Sequence, residues 1–571
     1  MNAEPVQRTI DRASAWMLTD PDPDTRAELG ALLREASAEI PGATERVVDM
    51  FTGMLEFGTA GLRGPIGPGP NAMNVVMVRR AAWALGTHLL GLLDGAAQAP
   101  RVVIGYDARH KSEQFALDSA RVLTALGIDV TLFPAPLPTP VLAYAVRAWG
   151  ADAGVQVTAS HNPAQDNGYK VYLGERITPD SPGSQLVGPH DGQIHDLLRR
   201  IDVAEIEVAD AGWTVLDAGF EREYIEKVAA LVPPAESDLA ARRAGVRIVL
   251  TPIHGVGDAT VRAVLNAAGF TDLTTVPEQA EPDPEFPTVY FPNPEEPGAM
   301  DLALKLADTI SADVVIANDP DTDRCAVATQ IDGAWQMLHG DVVGSLLGDM
   351  MARRFEGTSG AVIGNSIVSS RQLSAIATRY GLPSTQTLTG FKWISRAPGL
   401  VYGYEEALGY CVAPELVRDK DGISTALLIA EFVAELKEKG RTLADAIDEL
   451  ALLDGVYLTR QVSARFEDLS KLSATMERLL ASPPSTLGGE PVTSSDDMSA
   501  GFRGLPPTTG LHLETSSAAR VIVRPSGTEP KVKAYLEVIR PVDGGDVNAA
   551  RAAATTAMNA LEADVRATLG V

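Results

Sequence analysis

The chain has 571 residues, 45% of them hydrophobic, and 48 Lys+Arg against 75 Asp+Glu give a formal net charge of −27. At about 150 residues per domain, that length and apolar content support roughly three to five packed domains. An acidic balance of this size disfavours nucleic acid and anionic membranes as partners, and any phosphate ligand must then be met by cations gathered in one place.

Residues 1 to about 45 read as helical, and Met1-Asn2-Ala3-Glu4-Pro5 has neither the basic nor the apolar stretch of a signal peptide. Three later segments share one grammar of strand, glycine-containing or polar loop, helix, glycine and second strand. The first starts at Val102-Val103-Ile104-Gly105, has a helix ending at Gly127 and returns over residues 128–133. The second starts at residues 246–250, carries His254-Gly255-Val256-Gly257, ends its helix at Gly269 and returns over 270–276. The third starts at Ala361-Val362-Ile363-Gly364, loops over 365–370, ends its helix at Gly381 and returns over 382–388. A glycine after a helix accepts the left-handed conformation that ends it. Strand, crossover helix and strand make a right-handed unit of a helix-covered sheet.

The tail differs, because Val521-Ile522-Val523 and residues 532–539 flank a turn and an Ala-rich helix follows from about Val547 to Leu569. Residues 482–499, rich in Ser, Pro, Thr and Gly, read as a loop. The expected fold is therefore α/β, with three tandem similar domains on mixed sheets and a smaller C-terminal α+β domain. The boundaries fall near 1–45, 46–215, 216–330, 331–455 and 456–571. Cys325 and Cys411 form neither a disulfide framework nor a zinc pattern, and no apolar run approaches the ~20 residues that span a bilayer, so a soluble cytoplasmic protein is expected.

Four polar loops carry the chemistry. Thr158-Ala159-Ser160-His161-Asn162-Pro163 follows the apolar strand Val155-Gln156-Val157, at the end of which an open α/β sheet binds ligands. No Gly-x-Ser-x-Gly elbow surrounds Ser160, so it does not read as a hydrolase nucleophile; a serine already carrying a phosphoryl group needs no base to begin a turnover. His161 and Lys170 are near enough in sequence to handle protons or charge. Asp319-Pro320-Asp321-Thr322-Asp323-Arg324 places three carboxylates so close that they repel without a cation, and oxygen ligands favour Mg²⁺. Arg324 and Gln330 stand where an EF-hand needs glycine and glutamate, and Asp323 spoils a haloacid-dehalogenase reading.

In Gly403-Tyr404-Glu405-Glu406, a carboxylate pair suits adjacent sugar hydroxyls. Arg524-Pro525-Ser526-Gly527-Thr528-Glu529-Pro530-Lys531 combines backbone bends with two cations, as an anion cradle does. Taken singly, the serine and cradle loops also read as turns, and the acidic ones as solvated turns. Together they supply a donor, a metal cage, a hydroxyl reader and a phosphate anchor, which is what phosphoryl transfer requires.

At these residues the chain resembles the α-D-phosphohexomutase superfamily of phosphoglucomutases, phosphomannomutases and phosphopentomutases, in the order and spacing of all four loops. The resemblance implies three similar domains and a fourth around a central cleft. It implies a phosphorylated Ser160 that converts a sugar monophosphate to a bound bisphosphate, which turns over and returns its other phosphoryl group. Asp319, Asp321 and Asp323 would hold Mg²⁺ with an oxygen of that phosphoserine, and a sugar bisphosphate would prime the enzyme. Arg63, in Gly58-Thr59-Ala60-Gly61-Leu62-Arg63-Gly64, resembles the arginine facing the phosphoserine. Lys392, in Thr389-Gly390-Phe391-Lys392-Trp393, resembles a lysine of proton transfer or substrate contact.

Substrate contacts fall to Arg324, Glu405, Glu406, Arg524, Ser526, Gly527, Thr528 and Lys531. One departure is Ala407, where many hexose members place the serine of Glu-x-Ser. This loop and Asp419-Lys420-Asp421-Gly422 look more like the branch with phosphopentomutases and sugar-bisphosphate synthases. Hexose phosphates remain the first expectation. The expected partner is a sugar monophosphate, handled by a monomer or homodimer.

Overall fold

Gly127, Gly269 and Gly381 adopt φ of 80°, 97° and 67°, the left-handed region in which a side chain is strained. Each ends a helix and turns the chain into a strand parallel to the one before that helix. The computed structural model, which describes residues 3–56, 61–217, 219–466, 469–525 and 531–571, thus contains the three expected crossover units. They pair Arg101–Tyr106 with Asp129–Leu132, Arg247–Thr251 with Asp272–Thr275, and Val362–Ser366 with Ser384–Thr387, all parallel.

The chain divides into two units. One comprises Met1–Ala328, Trp335–Met337 and Tyr410–Ala434. Its N-terminal helices Ala3–Thr19, Pro23–Ser37 and Ala43–Phe51 close on a small core of Ala13, Leu29, Leu32, Val47 and Phe51. Its first sheet has the order Leu62–Pro65, Asp166–Leu173, Ala153–Val157, Arg101–Tyr106, Asp129–Leu132, Thr214–Val215, parallel except for Asp166–Leu173, which is antiparallel to both its neighbours. Ala153–Val157 is buried along its whole length, as a strand covered by helices on both faces should be. In its second sheet Val314–Ala317 lies parallel to Arg247–Thr251. The central strands of both sheets deliver their C-terminal ends to the polar loops.

The other unit comprises Thr329–Ala334, Leu338–Gly409 and Glu435–Val571. Val362–Ser366 lies between Ser384–Thr387 and Leu400–Glu405, parallel to both. The tail forms a six-stranded antiparallel sheet backed by the helix Val547–Leu569, whose Met558, Leu561 and Val565 pack on Val462, Leu513, Val521 and Leu536. Ile522 points to the opposite face and packs with Ile367, Leu388, Met498 and Phe502.

The 482–499 segment corrects the sequence reading. It is not a loop throughout: Glu490–Asp497 is a strand paired antiparallel with Leu511–Thr515. Its burial alternates only between half-buried and exposed, so Ser, Thr and Asp satisfy both faces and no apolar period marks it. The backbone ladder holds it instead.

Candidate active site

Ser160 closes the turn at the end of Ala153–Val157 in a left-handed conformation, φ 53°. A non-glycine residue pays about 1–2 kcal/mol for that conformation, and residues so held cluster at functional sites. Its amide donates to Thr158 Oγ1 at 2.9 Å, and its Oγ donates to Asp319 Oδ2 at 2.7 Å and lies 3.2 Å from His161 Nδ1. Burial first, and then the charges of Arg324 and Arg63, hold the His161 imidazole well below its ordinary value. Arg63, on Leu62–Pro65, donates to Asn162 Oδ1 at 3.0 Å.

Asp319, Asp321 and Asp323 follow Val314–Ala317, and all three are fully buried. One oxygen from each lies within 4.8 Å of the others. The loop is fixed from several directions. Thr322 is left-handed (φ 63°), Thr139 donates to Asp321 Oδ2 at 2.5 Å, and the Arg324 amide donates to Asp319 Oδ1 at 3.0 Å. Lys170 Nζ stands 2.6 Å from Asp321 Oδ2 and 2.7 Å from Asp323 Oδ2, and Lys420 Nζ stands 3.2 Å from Asp323 Oδ2. Burial alone would lower the Lys170 pKa, but Asp321 and Asp323 outweigh it and keep the amine charged. Lys170 therefore compensates charge here.

The carboxylates respond in opposite directions. Burial, reinforced by Asp321 and Asp323, pushes Asp319 up to about 8. Burial would raise Asp323 too, but Lys170, Lys420 and Arg324 overcome it and hold that carboxyl far below the usual range. Asp321 Oδ1 and Asp323 Oδ1 are buried without a hydrogen-bond partner among the described residues. Orphaned carboxylate oxygens beside a third carboxylate are the donor set of a hard divalent cation such as Mg²⁺, and the residues present fit one.

In the second unit, Glu405 ends Leu400–Glu405 and Glu406 follows it. Glu406 Oε2 accepts from Ser369 Oγ at 2.9 Å and Ser366 Oγ at 3.2 Å, and its amide donates to Ser369 Oγ at 3.1 Å. A Cβ on Gly340 would come within 1.8 Å of Glu406 O, so only glycine lets that helix start so close. Arg524, on Arg520–Pro525, donates to Thr389 Oγ1, which brings it to the loop that leads into Lys392. Lys392 Nζ lies 5.8 Å from the centre of the Trp393 ring. Lys531 begins the neighbouring strand Lys531–Arg540. Ser526, Gly527 and Thr528 lie outside the described residues.

The sequence reading missed Thr139, Lys420, Ser366, Ser369 and Arg109, the last of which binds the Ser160 loop. Two signals were available: Asp419-Lys420-Asp421-Gly422, noted only for the branch it resembles, and Asp107-Ala108-Arg109, also a polar loop at the end of a buried parallel strand.

Comparison with known proteins gives a consistent result. Residues 54–187, 222–332 and 339–452 match the models described as Phosphoglucomutase/phosphomannomutase, alpha/beta/alpha domains I, II and III. The chain is 42% identical over 468 residues to "Probable phosphomannomutase" of Haemophilus influenzae, covering 81% of this chain and 93% of that protein. It is 33% identical to "Probable phosphoribomutase" of Schizosaccharomyces pombe (93% of each) and 32% identical to "Phosphopentomutase" of Homo sapiens (94% and 92%). A solved phosphoglucomutase/phosphomannomutase family protein from Burkholderia thailandensis shares the fold with a TM-score of 0.66 at 20% identity, over 89% of this chain and 96% of that one. No helix among the described residues is long and apolar enough to cross a membrane. The chain belongs to the phosphoglucomutase/phosphomannomutase family of the α-D-phosphohexomutase superfamily and is a phosphomutase, an enzyme of the isomerase class.

Proposed function

We propose that this enzyme interconverts the 1-phosphate and 6-phosphate of a hexose, glucose or mannose, through a phosphoserine at residue 160 and a bound sugar bisphosphate. The observation that carries the reading is the 2.7 Å contact between Ser160 Oγ and Asp319, in a buried cluster of three carboxylates. In the first half-reaction the phosphoryl group leaves Ser160 Oγ for a free sugar hydroxyl; that hydroxyl's proton is released and the serine oxygen regains one. The second half-reaction is its reverse, from the other end of the bisphosphate. Asp319, Asp321 and Asp323 would hold Mg²⁺, which when bound supplies positive charge for the phosphoryl oxygens.

Ser160 is held in its left-handed turn by hydrogen bonds, so little reorganisation precedes transfer. Arg63 stays beside the serine loop through Asn162. Glu405 and Glu406 would read sugar hydroxyls. Arg524, Lys531 and the residues between them would anchor the non-reacting phosphate, with Arg324 and Lys392 as further contacts.

A pentose substrate is the second reading. It is favoured by relatives named phosphoribomutase and phosphopentomutase that match over 93% and 94% of the chain. Release of the bisphosphate as product, with a phosphoryl group drawn from another metabolite, is a further variant. The test is a substrate panel of glucose, mannose, ribose and deoxyribose 1-phosphates with Mg²⁺ and a bisphosphate primer, run beside intact-mass analysis. Conversion of a hexose ester, with one phosphate localised to Ser160 and none in an inactive Ser160→Ala, is expected. Turnover by Ser160→Ala sinks the phosphoserine; preference for a pentose ester moves the assignment to the second reading.

A further inference from the structure

Arg109 is 5% exposed and spends its guanidinium on backbone carbonyls. Nη2 donates to Ser160 O and Asn162 O, each at 2.6 Å, and Nη1 donates to Pro163 O at 2.8 Å and Asp166 O at 3.1 Å. Carbonyl dipoles aimed at one point repel, so a chain segment does not take this shape unaided. A forked, permanently charged donor group is what makes the convergence favourable. The segment so gathered contains Ser160, whose left-handed φ of 53° is unfavourable for a side-chain-bearing residue.

The arginine is itself oriented. Its amide donates to Asp107 Oδ1 at 3.0 Å, its Nε lies 3.4 Å from Asp107 Oδ2, and Ser112 Oγ fixes that carboxylate at 2.6 Å. The Phe286 ring centre lies 4.9 Å from the guanidinium carbon. Two positions on, left-handed Lys111 pairs with Asp22 at 2.9 Å and Asp24 at 2.7 Å, so the arginine's loop is tied to the N-terminal helices. Arg109 thus links a well-fastened loop to the backbone that carries the serine.

We propose that Arg109 is the positioning residue of the phosphoryl-carrying serine, holding the 160–166 backbone so that Ser160 Oγ faces Asp319, through a fork that an ammonium cannot replace. The inference rests on the reading of Ser160 as that carrier. A misplacement of about 1 Å at a reacting atom costs on the order of 100-fold in rate, whereas binding of the substrate's distant groups does not depend on this turn.

The test uses the full chain with Arg109→Ala, Arg109→Lys and Ser160→Ala. It measures kcat and KM for the sugar 1-phosphate preferred in the panel, the rate at which phosphate leaves Ser160 by intact mass, and thermal melting. Folded Arg109→Ala with kcat lowered on the order of 100-fold and KM within about threefold is expected. Guanidinium ion, well below denaturing concentration, then restores part of that rate, but none in Ser160→Ala. Arg109→Lys stays near the alanine variant, because its point charge lacks the fork. The proposal is overturned if either folded variant keeps kcat within about threefold of the parent, if the loss is in KM alone, or if guanidinium leaves folded Arg109→Ala unimproved. If only Arg109→Ala fails to fold, Arg109→Lys decides by its kcat and its Ser160 dephosphorylation rate; if both fail, the arginine is a fold determinant and the proposal falls. An active Ser160→Ala defeats the carrier reading and this inference with it. An inactive Ser160→Ala beside fully active Arg109 variants defeats the positioning role alone.

Discussion

Lys170→Met tests whether the aspartate cluster was built around a deficit of positive charge. The lysine is buried, with Nζ 2.6 Å from Asp321 and 2.7 Å from Asp323. At an effective dielectric of about 20, a unit pair at that separation attracts by about 6 kcal/mol. Desolvation cancels much of this, and removing one partner of a buried pair costs about 3–5 kcal/mol. Methionine keeps the volume and drops the charge, so packing is not the variable. Hydrogen exchange of peptides covering residues 314–324, in EDTA and in excess Mg²⁺, reads the local opening free energy without assuming that the whole chain unfolds at once. In EDTA, exchange in the variant should be about two to four orders of magnitude faster than in the parent. Excess Mg²⁺ should narrow that gap by up to about two orders of magnitude, since ligand at 100 times its Kd stabilises by about 2.7 kcal/mol and the cluster no longer carries a competing ammonium. Equal exchange in EDTA, or a gap that Mg²⁺ leaves unchanged, refutes the reasoning.

Glu537→Gln removes the charge of a buried carboxylate that accepts from Ser370 Oγ (2.9 Å), Arg371 N (2.8 Å) and Arg371 Nε (2.6 Å), with Arg520 at 3.3 Å. Arg520 loses its counter-charge and Arg371 is left with Glu514 at 3.6 Å, and urea unfolding should show about 3–5 kcal/mol of destabilisation. His512 is held neutral down to about 4, by burial first and then by Arg503 and Arg520 against Glu514 and Asp496. The unfolded chain binds that proton from about pH 6.5 downward, so stability is unaffected above 6.5 and falls between 6.5 and 4, by up to about 3 kcal/mol. His512→Gln should flatten that part of the stability–pH curve relative to the parent. Arg524→Ala should raise KM tenfold or more with kcat nearly kept, as loss of uniform binding does; a pure kcat loss in steady-state kinetics would contradict an anchoring role.

The fold was legible where local chemistry repeats. The glycines at 127, 269 and 381 and the apolar runs around them announced each crossover, since both signals are contained within one helix and its flanks. The aspartate loop was legible for the same reason: its crowding is visible in five consecutive residues. What was not legible is long-range. Thr139 meets Asp321 across 182 positions, and Arg109 meets the Ser160 carbonyl across 51. Backbone carbonyls leave no trace in a sequence, so an arginine that binds four of them looks like any surface cation. The strand Glu490–Asp497 was hidden similarly, because its ladder is independent of side-chain polarity. Glu405 and Glu406 read as an equivalent pair, yet Ser366 and Ser369 occupy one oxygen of Glu406.

The distribution of cations around the cluster is uneven, and the unevenness has a direction. Lys170 and Lys420 both stand against Asp323, and Lys170 also against Asp321. Asp319 faces the Arg324 Nε at 3.8 Å and accepts from the Arg324 amide and the Ser160 hydroxyl, with no lysine against it among the described residues. Burial, reinforced by Asp321 and Asp323, therefore pushes its pKa up to about 8, while Asp323 moves the opposite way on the same loop. Two carboxylates four positions apart, equally buried, differ because the protein's own cations satisfy one and leave the other. The missing positive charge is thus on the side of the cluster that touches Ser160. Removing either lysine increases the deficit without moving it. An acceptor for further positive charge, beside the oxygen that would carry a phosphoryl group, is what charge-stabilised transfer at that serine requires.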